Sequence, residues 1–521
     1  MKTLNILYHI ARADFLERTR RASFLVMLGL VLYLGYLVNI GQVTLRLETY
    51  RGMFNSAWIG SMMTLVVNFL LGWFGFYLIK GAVARDYETG VGQIMATTPL
   101  SRPLYLLGKW LSNMAVLDLM VAALMLAALA MQIIQREDPV IHVWALVSPF
   151  LFVALPFMAL VAAMAILFES ISWLRGSFGN LVYFFAFIMG IALVAIMYGE
   201  SIPVLDWLGF GVFKTSMAEA AKAAYPNYSG GLALSLVPAR GDIQPFHWDG
   251  VTWTLPLILP RLGILGLALA LTLVSSLPFD RFSKSGMSRR RKPAAKAMDA
   301  PAMELVPVTG QRSITLTPLS VSPMRYSPGH LLLAELRLTM RGMPWWWYVA
   351  ALGLLGGSLI LPLDNLRSWV LPAALLWPLL AWSGLGCREA RFATGQIVFS
   401  APNPLWNQLS ASWLAGFTVS LLMGGGALLR LGLAGEWISF TALLVGLLFI
   451  PSLALALGVW TGTSKAFEVV YAVFWYLGVL NDVLELDYSG LHASGSWPAY
   501  LLLSLALFFL AVYGRKRQLE N

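Results

Sequence analysis

The chain has 521 residues, of which 58% are apolar and only 12% charged, with a formal net charge of +10. Its mean hydropathy is +0.72. A soluble domain of this length cannot hide that many apolar side chains in one core, so the composition excludes an ordinary soluble protein and makes the bilayer the solvent for most of them.

The first twenty-odd residues are charged and patterned, which is not the pattern of a cleavable signal. Leu4, Leu7, Ala11 and Phe15 recur at helical spacing opposite Asn5, His9 and Arg12, the signature of a helix lying at the membrane surface. A span needs roughly 20 apolar residues. That rule predicts spans near 22–41, 57–83, 108–134, 143–168, 180–198 and 255–277. Residues 279–328 are basic, rich in Pro, Ser and Thr, and lack apolar periodicity, as expected of a flexible linker. A second surface helix follows, in which Leu333, Leu336 and Met340 alternate with Glu335, Arg337 and Arg341. Further spans are predicted near 345–363, 367–387, 410–429, 437–461, 466–482 and 497–513.

An even number of spans puts both termini on one side. The segment 199–252 and the loop after the eleventh span carry an excess of acids, whereas the alternate loops hold Arg85, Arg102 and Lys109, then Arg175, then Arg388 and Arg391, then Lys465. Both termini and the linker are therefore expected in the cytoplasm. The basic clusters at Arg18–Arg21, Arg281–Lys296 and Arg515–Arg517 flank apolar spans and read as membrane anchors, with no nucleic acid as partner.

The loop after the second span recurs. From Arg85 the chain reads RDYETGVGQIMATTPLSRPLYLLGKWLSN, and from Arg388 it reads REARFATGQIVFSAPNPLWNQLSASWLAG. Without gaps, Arg85 meets Arg388, Asp86 meets Glu389, Gly92-Gln93-Ile94 meets Gly395-Gln396-Ile397, Pro99 meets Pro402, and Trp110-Leu111 meets Trp413-Leu414. Val182-Tyr183 similarly matches Val470-Tyr471, with Gly190 matching Gly478. The expected fold is thus all-α and polytopic, with about 12 transmembrane helices in two parallel pseudo-symmetric repeats, 1–278 and 329–521.

With Glu88-Thr89-Gly90, Thr98-Pro99-Leu100-Ser101-Arg102 and Gly108-Lys109, the first copy resembles the cytoplasmic loop of ABC-2 type permeases, the membrane subunits of one class of ATP-binding-cassette exporter. The surface helix, the six-span half and the long segment before the sixth span belong to the same resemblance, so the chain looks like two such permeases fused. The resemblance implies a multi-pass protein of a bacterial inner membrane, bound to two copies of a cytoplasmic ATP-binding-cassette ATPase that holds ATP and Mg²⁺, with no cofactor in this chain. It implies that Glu88, Gly90, Gly92, Thr98, Pro99, Ser101, Arg102, Gly108 and Lys109 couple to that ATPase. A second, degenerate contact would involve Arg388, Arg391, Gly395, Gln396 and Pro402, because Asn403-Pro404 and Ser412 stand where the first copy has Leu100-Ser101 and Lys109. For 199–252 the resemblance implies a re-entrant hairpin, with an external lobe as the alternative.

Catalytic motifs are missing. Gly108-Lys109 is followed by Trp110 and lacks the upstream glycine of a phosphate-binding loop, and no nucleophile elbow or His-Glu zinc helix occurs. The single cysteine, Cys387, excludes an intramolecular disulfide. Asp118 is the clearest ionisable group inside a span and is a candidate for the transport pathway. A secondary transporter driven by an ion gradient is the alternative function, and it would need paired intramembrane acids that the sequence does not display.

Overall fold

A computed structural model describes residues 2–520 except 21, 42, 48, 136, 197–205, 227, 229–230, 236–243, 280–326, 342, 482 and 491–493. The linker expected at 279–328 lies almost wholly outside the described residues. The first half comprises α1 (Lys2–Thr19), α2 (Ala22–Asn39), α3 (Ser56–Leu70), α4 (Phe76–Ile79), α5 (Ala82–Glu88), α6 (Val91–Ala96), α7 (Arg102–Gln135), α8 (Val143–Pro149), α9 (Leu155–Ser170), α10 (Ser177–Ile196), α11 (Phe210–Ala224) and α12 (Leu255–Val274). The second comprises α13 (Pro328–Met340), α14 (Trp345–Ile360), α15 (Leu363–Asn365), α16 (Leu371–Leu376), α17 (Leu379–Trp382), α18 (Arg388–Arg391), α19 (Gly395–Phe399), α20 (Pro404–Leu433), α21 (Trp437–Thr461), α22 (Lys465–Phe474) and α23 (Trp497–Glu520).

Among the described residues, eight helices are long and apolar enough to cross a bilayer, or nine if α13 and α14, which meet at 107°, count as one broken span. The protein is therefore a predominantly helical, multi-pass membrane protein. The remaining predicted spans are short or interrupted. Segment 367–387 is broken by a π-turn at Leu366–Val370 and by Pro378, which follows α16 and cannot donate to its carbonyls. Segment 466–482 begins as α22 and ends in a π-turn, Trp475–Leu480. π-Turns also continue α3 through Leu71–Gly75 and join α8 to α9 through Phe150–Ala154, just after Pro149. One contiguous apolar core, from Val31 through Trp58 and Phe184 to Trp382, Phe449 and Tyr471, runs through both halves.

A small sheet adds to the helical frame at the end of the bundle where α2 and α7 finish. Its order is β3-β1-β2-β4, with β1 (Thr44–Leu47) antiparallel to both β2 (Tyr50–Gly52) and β3 (Leu232–Ser235), and β2 parallel to β4 (Gln244–Phe246). Arg51 pairs with Glu137 at 2.9 Å, and Trp58 packs edge-on against Phe246 and Trp248, so the sheet is stitched to the start of α3 and to the chain just after α7.

The segment before α12 contributes to both the sheet and the helical bundle. Its strands belong to this lobe, but Trp207–Gly209 reach inside the bundle. Asn68 donates to the Leu208 carbonyl at 3.0 Å, and Trp207 packs on Phe157 and Phe187. Asn68 is twelve residues into α3, roughly 18 Å from its first turn at 1.5 Å per residue. From that depth α11 runs back to the sheet, where Tyr225 meets Tyr50 at 4.6 Å. Asp206 holds the turn by accepting from the Gly209 and Val212 amides, and Arg261 of α12 pairs with it at 2.9 Å.

Candidate functional site

The repeated loop and its leading helix form one unit at the opposite end of the bundle. α1 lies along the start of α7 because position 108 is glycine: a Cβ there would sit 2.7 Å from Cγ2 of Ile10. The amphipathic spacing of α1 turns Asp14 and Arg18 inward, and both are buried. Asp14 accepts from Lys109 (2.9 Å) and Ser112 (2.8 Å) and forms an ion pair with Arg18 Nε at 2.8 Å, with Arg85 at 3.9 Å. Burial pushes its carboxyl up, but the Arg18 and Lys109 charges and the Lys109 and Ser112 hydrogen bonds outweigh that and hold it at about 2.

Lys109 also pairs with Asp86 at 2.8 Å, and Tyr105 donates to the same Asp86 carboxylate at 2.6 Å. The start of α5 is held by Glu169 at the end of α9. Its carboxylate accepts from four consecutive amides, Gly81 to Ala84, at 2.5–3.1 Å. Those are the otherwise unpaired donors of a helix N-terminus, where a negative charge is stabilised. Gly90, at φ +74°, turns the chain into α6.

The loop residues therefore divide into two sets. Gly92, Gly108 and Lys109 are buried, and the last two hold the loop in place, whereas Thr98, Pro99, Ser101 and Arg102 are exposed. Ile94 is 69% exposed at the tip of α6. The Glu88 side chain lies outside the described residues.

The second copy repeats these contacts at matched positions. Arg388 pairs with Glu335 of α13 at 2.8 Å, as Arg85 approaches Asp14 of α1. Gln408 donates to Glu389 where the matched Tyr105 donates to Asp86. Trp110 donates to Ala159 in α9, and Trp413 to Ser452 in α21, each at 2.9 Å. Ile397, matched to Ile94, is 76% exposed. Arg391, Gln396 and Pro402 are exposed, and Gly395 is half-buried. Here Thr339 and Ser412 stand where the first half has Arg18 and Lys109. With fewer cations nearby, burial raises the Glu335 carboxyl despite Arg388 and Ser412.

The halves meet through α10 and α22. Tyr183 donates to the Gly72 carbonyl at 2.5 Å, and its match Tyr471 donates to the Leu375 carbonyl at 2.7 Å. Asn180 donates to Glu468 at 2.5 Å, Lys80 donates to Asn180 at 2.6 Å, and Lys465 donates to the Lys80 carbonyl. Tyr476 and Trp475 pack on Phe184 and Phe185 deeper in the same interface.

Family models, curated proteins and solved structures were all compared with the chain, and none matches it. The contacts above must therefore carry the functional reading.

No group of three or more potential metal ligands occurs among the described residues. Asp118 is half-buried partway along α7, and its Oδ1 has no hydrogen-bond partner among the described residues. The structure does not bring it together with the loop. Buried ionic residues that escape a reading of apolar runs include Glu169, near the end of a span, and Lys80 and Arg261, inside spans. Arg261 was legible as a charge in an apolar stretch, but its partner Asp206 is 55 residues away and no local spacing connects them.

Proposed function

We propose that this chain is the membrane-spanning subunit of an ABC-2-like transporter, two permease halves fused in one polypeptide and driven by separate cytoplasmic ATP-binding-cassette ATPases. The supporting observation is the paired set of contacts. At one constant offset in the loop, matched residues make matched bonds in both halves. Tyr105 and Gln408 bond Asp86 and Glu389, and Trp110 and Trp413 reach the next long helix. The same offset relates Gly72 to Leu375, the acceptors of the matched tyrosines. Chance similarity between apolar stretches does not readily reproduce the Tyr105–Asp86 bond as Gln408–Glu389, with both partners at the same offset. The matches support two parallel repeats, and with them the finer reading of six spans per half, in which the interrupted segments count as spans.

In this reading the exposed Ile94 and the Thr98–Arg102 turn enter a groove of one ATPase, and Ile397 with Pro402 meets the other. Closure of the ATPases presses on the loop, and the buried Asp14–Lys109–Asp86 chain passes the push to α1 and α7 as one body. The purified chain alone should hydrolyse no ATP. Co-expression with an ATPase encoded beside it should give a stable complex, and replacing residues 98–102 with a Gly-Ser stretch should weaken that complex at least tenfold. Unaltered assembly and transport after the replacement would remove the loop from the coupling role.

An ion-gradient-driven transporter is the second reading, and Asp118, with its unpartnered carboxylate oxygen inside a span, favours it. Asp118→Asn separates the two: loss of ATP-independent proton-coupled flux supports it, and unchanged ATP-dependent transport rejects it.

A further inference from the structure

The two halves differ most beneath their leading helices. Under α1 the space is filled: Ile10 rests on Gly108, and Met95 and Leu100 pack toward Val83, Tyr105 and Leu106. In the second half Ala411 occupies the position matched to Gly108, so its Cβ takes the space that lets α1 sit so close. Between α13 and the second loop the chain leaves a cavity of about 1240 Å³, larger than the roughly 300–1000 Å³ of ordinary small-molecule pockets.

Its lining combines an apolar wall, including Leu331, Leu338, Leu380 and Val398, with three arginines and two glutamates. The charges do not cancel. Glu335 is taken by Arg388, and Glu389 by Arg515. Arg341 and Arg391 also line the cavity and are exposed, and no carboxylate among the described residues lies within ion-pair distance of either. The cavity sits beside the point where α13 turns by 107° into α14, whose apolar run Trp345–Ile360 follows directly.

We propose that this cavity is a binding site for one anionic phospholipid, its headgroup phosphate held by Arg341 and Arg391 and an acyl chain lying along the apolar wall. Guanidinium groups match phosphate oxygens in a planar fork, and basic pockets at helix ends take lipid headgroups in this way. A zwitterionic headgroup fits less well, because its ammonium would find both lining carboxylates already paired. A soluble phosphate would leave the apolar wall wet.

The site is separate from the exposed turn of the first loop but shares Ile397 and Pro402 with the proposed second ATPase contact, and lipid retention by the chain alone tests it without that reading. The test is native mass spectrometry of the full-length chain released from micelles containing equimolar phosphatidylglycerol and phosphatidylcholine. We expect one phosphatidylglycerol retained per chain in preference to phosphatidylcholine. The doubly substituted R341A/R391A chain should lose it at least tenfold, and Ala334→Trp, which fills the cavity, should lose it too, while Arg337→Ala retains it. Equal retention of the two lipids overturns the proposal, as does unchanged retention in R341A/R391A. Binding of glycerol phosphate as tight as that of the lipid also overturns it. So does a photocrosslinking amino acid at position 397 that captures linker residues 280–326 in place of lipid.

Discussion

Asp14 and Glu335 hold the same place in the two halves, yet their surroundings set them in opposite directions. A carboxyl depressed to about 2 contributes stability that is fully present above its unfolded value near 4 and is lost as pH falls through 2. That contribution is roughly 2 kcal/mol at neutral pH. Asp14→Asn should lower unfolding stability at pH 7 by about that amount and should flatten the loss of stability between pH 4 and 2, read by thermal unfolding in detergent. An unchanged acid limb would show that Arg18 and Lys109 do not act through Asp14. Ala393 offers a second test. It adopts φ +51° at the position matched to Gly90, a left-handed conformation that costs an L-residue roughly 1 kcal/mol. Ala393→Gly should therefore stabilise the second half by about 1 kcal/mol, seen as a raised unfolding midpoint. Both residues were visible as letters in the sequence. Their roles were not, because an ion pair between α1 and α7 and a backbone dihedral are set by packing.

At the level of elements, the leading helices, the paired loops and most long spans were legible from apolar length and helical spacing. The sheet was not. Its strands are 3–4 residues long and come from segments almost 200 residues apart, too short and too distant for alternation to signal them. The turn at Asp206–Gly209 and α11 were hidden for a related reason, since their anchor is a buried ion pair between distant residues. Removing one partner of such a pair leaves an uncompensated buried charge and costs roughly 3–5 kcal/mol. Arg261→Ala should therefore release Trp207–Gly209 from the bundle. Hydrogen exchange in α11 would then accelerate, while exchange in α1 and α7 at the other end stays unchanged. Equal protection of α11 in the variant would mean that Asn68 and the Trp207 stack hold it without the ion pair.

Across the whole molecule, the junction between halves is built from a residue and its own counterpart: Asn180 and Glu468 occupy matched positions on α10 and α22 and bond each other. The proposed two-fold relation between the repeats would place self-matching contacts of this kind at their interface. If the halves rock against each other there, pinning the junction should stop them. In a Cys387→Ser background, Asn180→Cys with Glu468→Cys, bridged by a short bis-methanethiosulfonate reagent, should abolish transport, with recovery on reduction. Full transport in the crosslinked state would place the moving interface elsewhere.

Apolar length by itself determined that this protein lives in a bilayer, because hydrocarbon favours helices whose backbone groups bond internally. The gapless repeat likewise marked the Arg85 and Arg388 loops as counterparts. Only the tertiary structure decided which repeated residues face outward and which are clasped inside, that the second half keeps an open cavity where the first is packed, and that a sheet closes the far end. Those outcomes rest on contacts between residues tens to hundreds of positions apart, whose energies depend on burial and mutual distance rather than on local spacing.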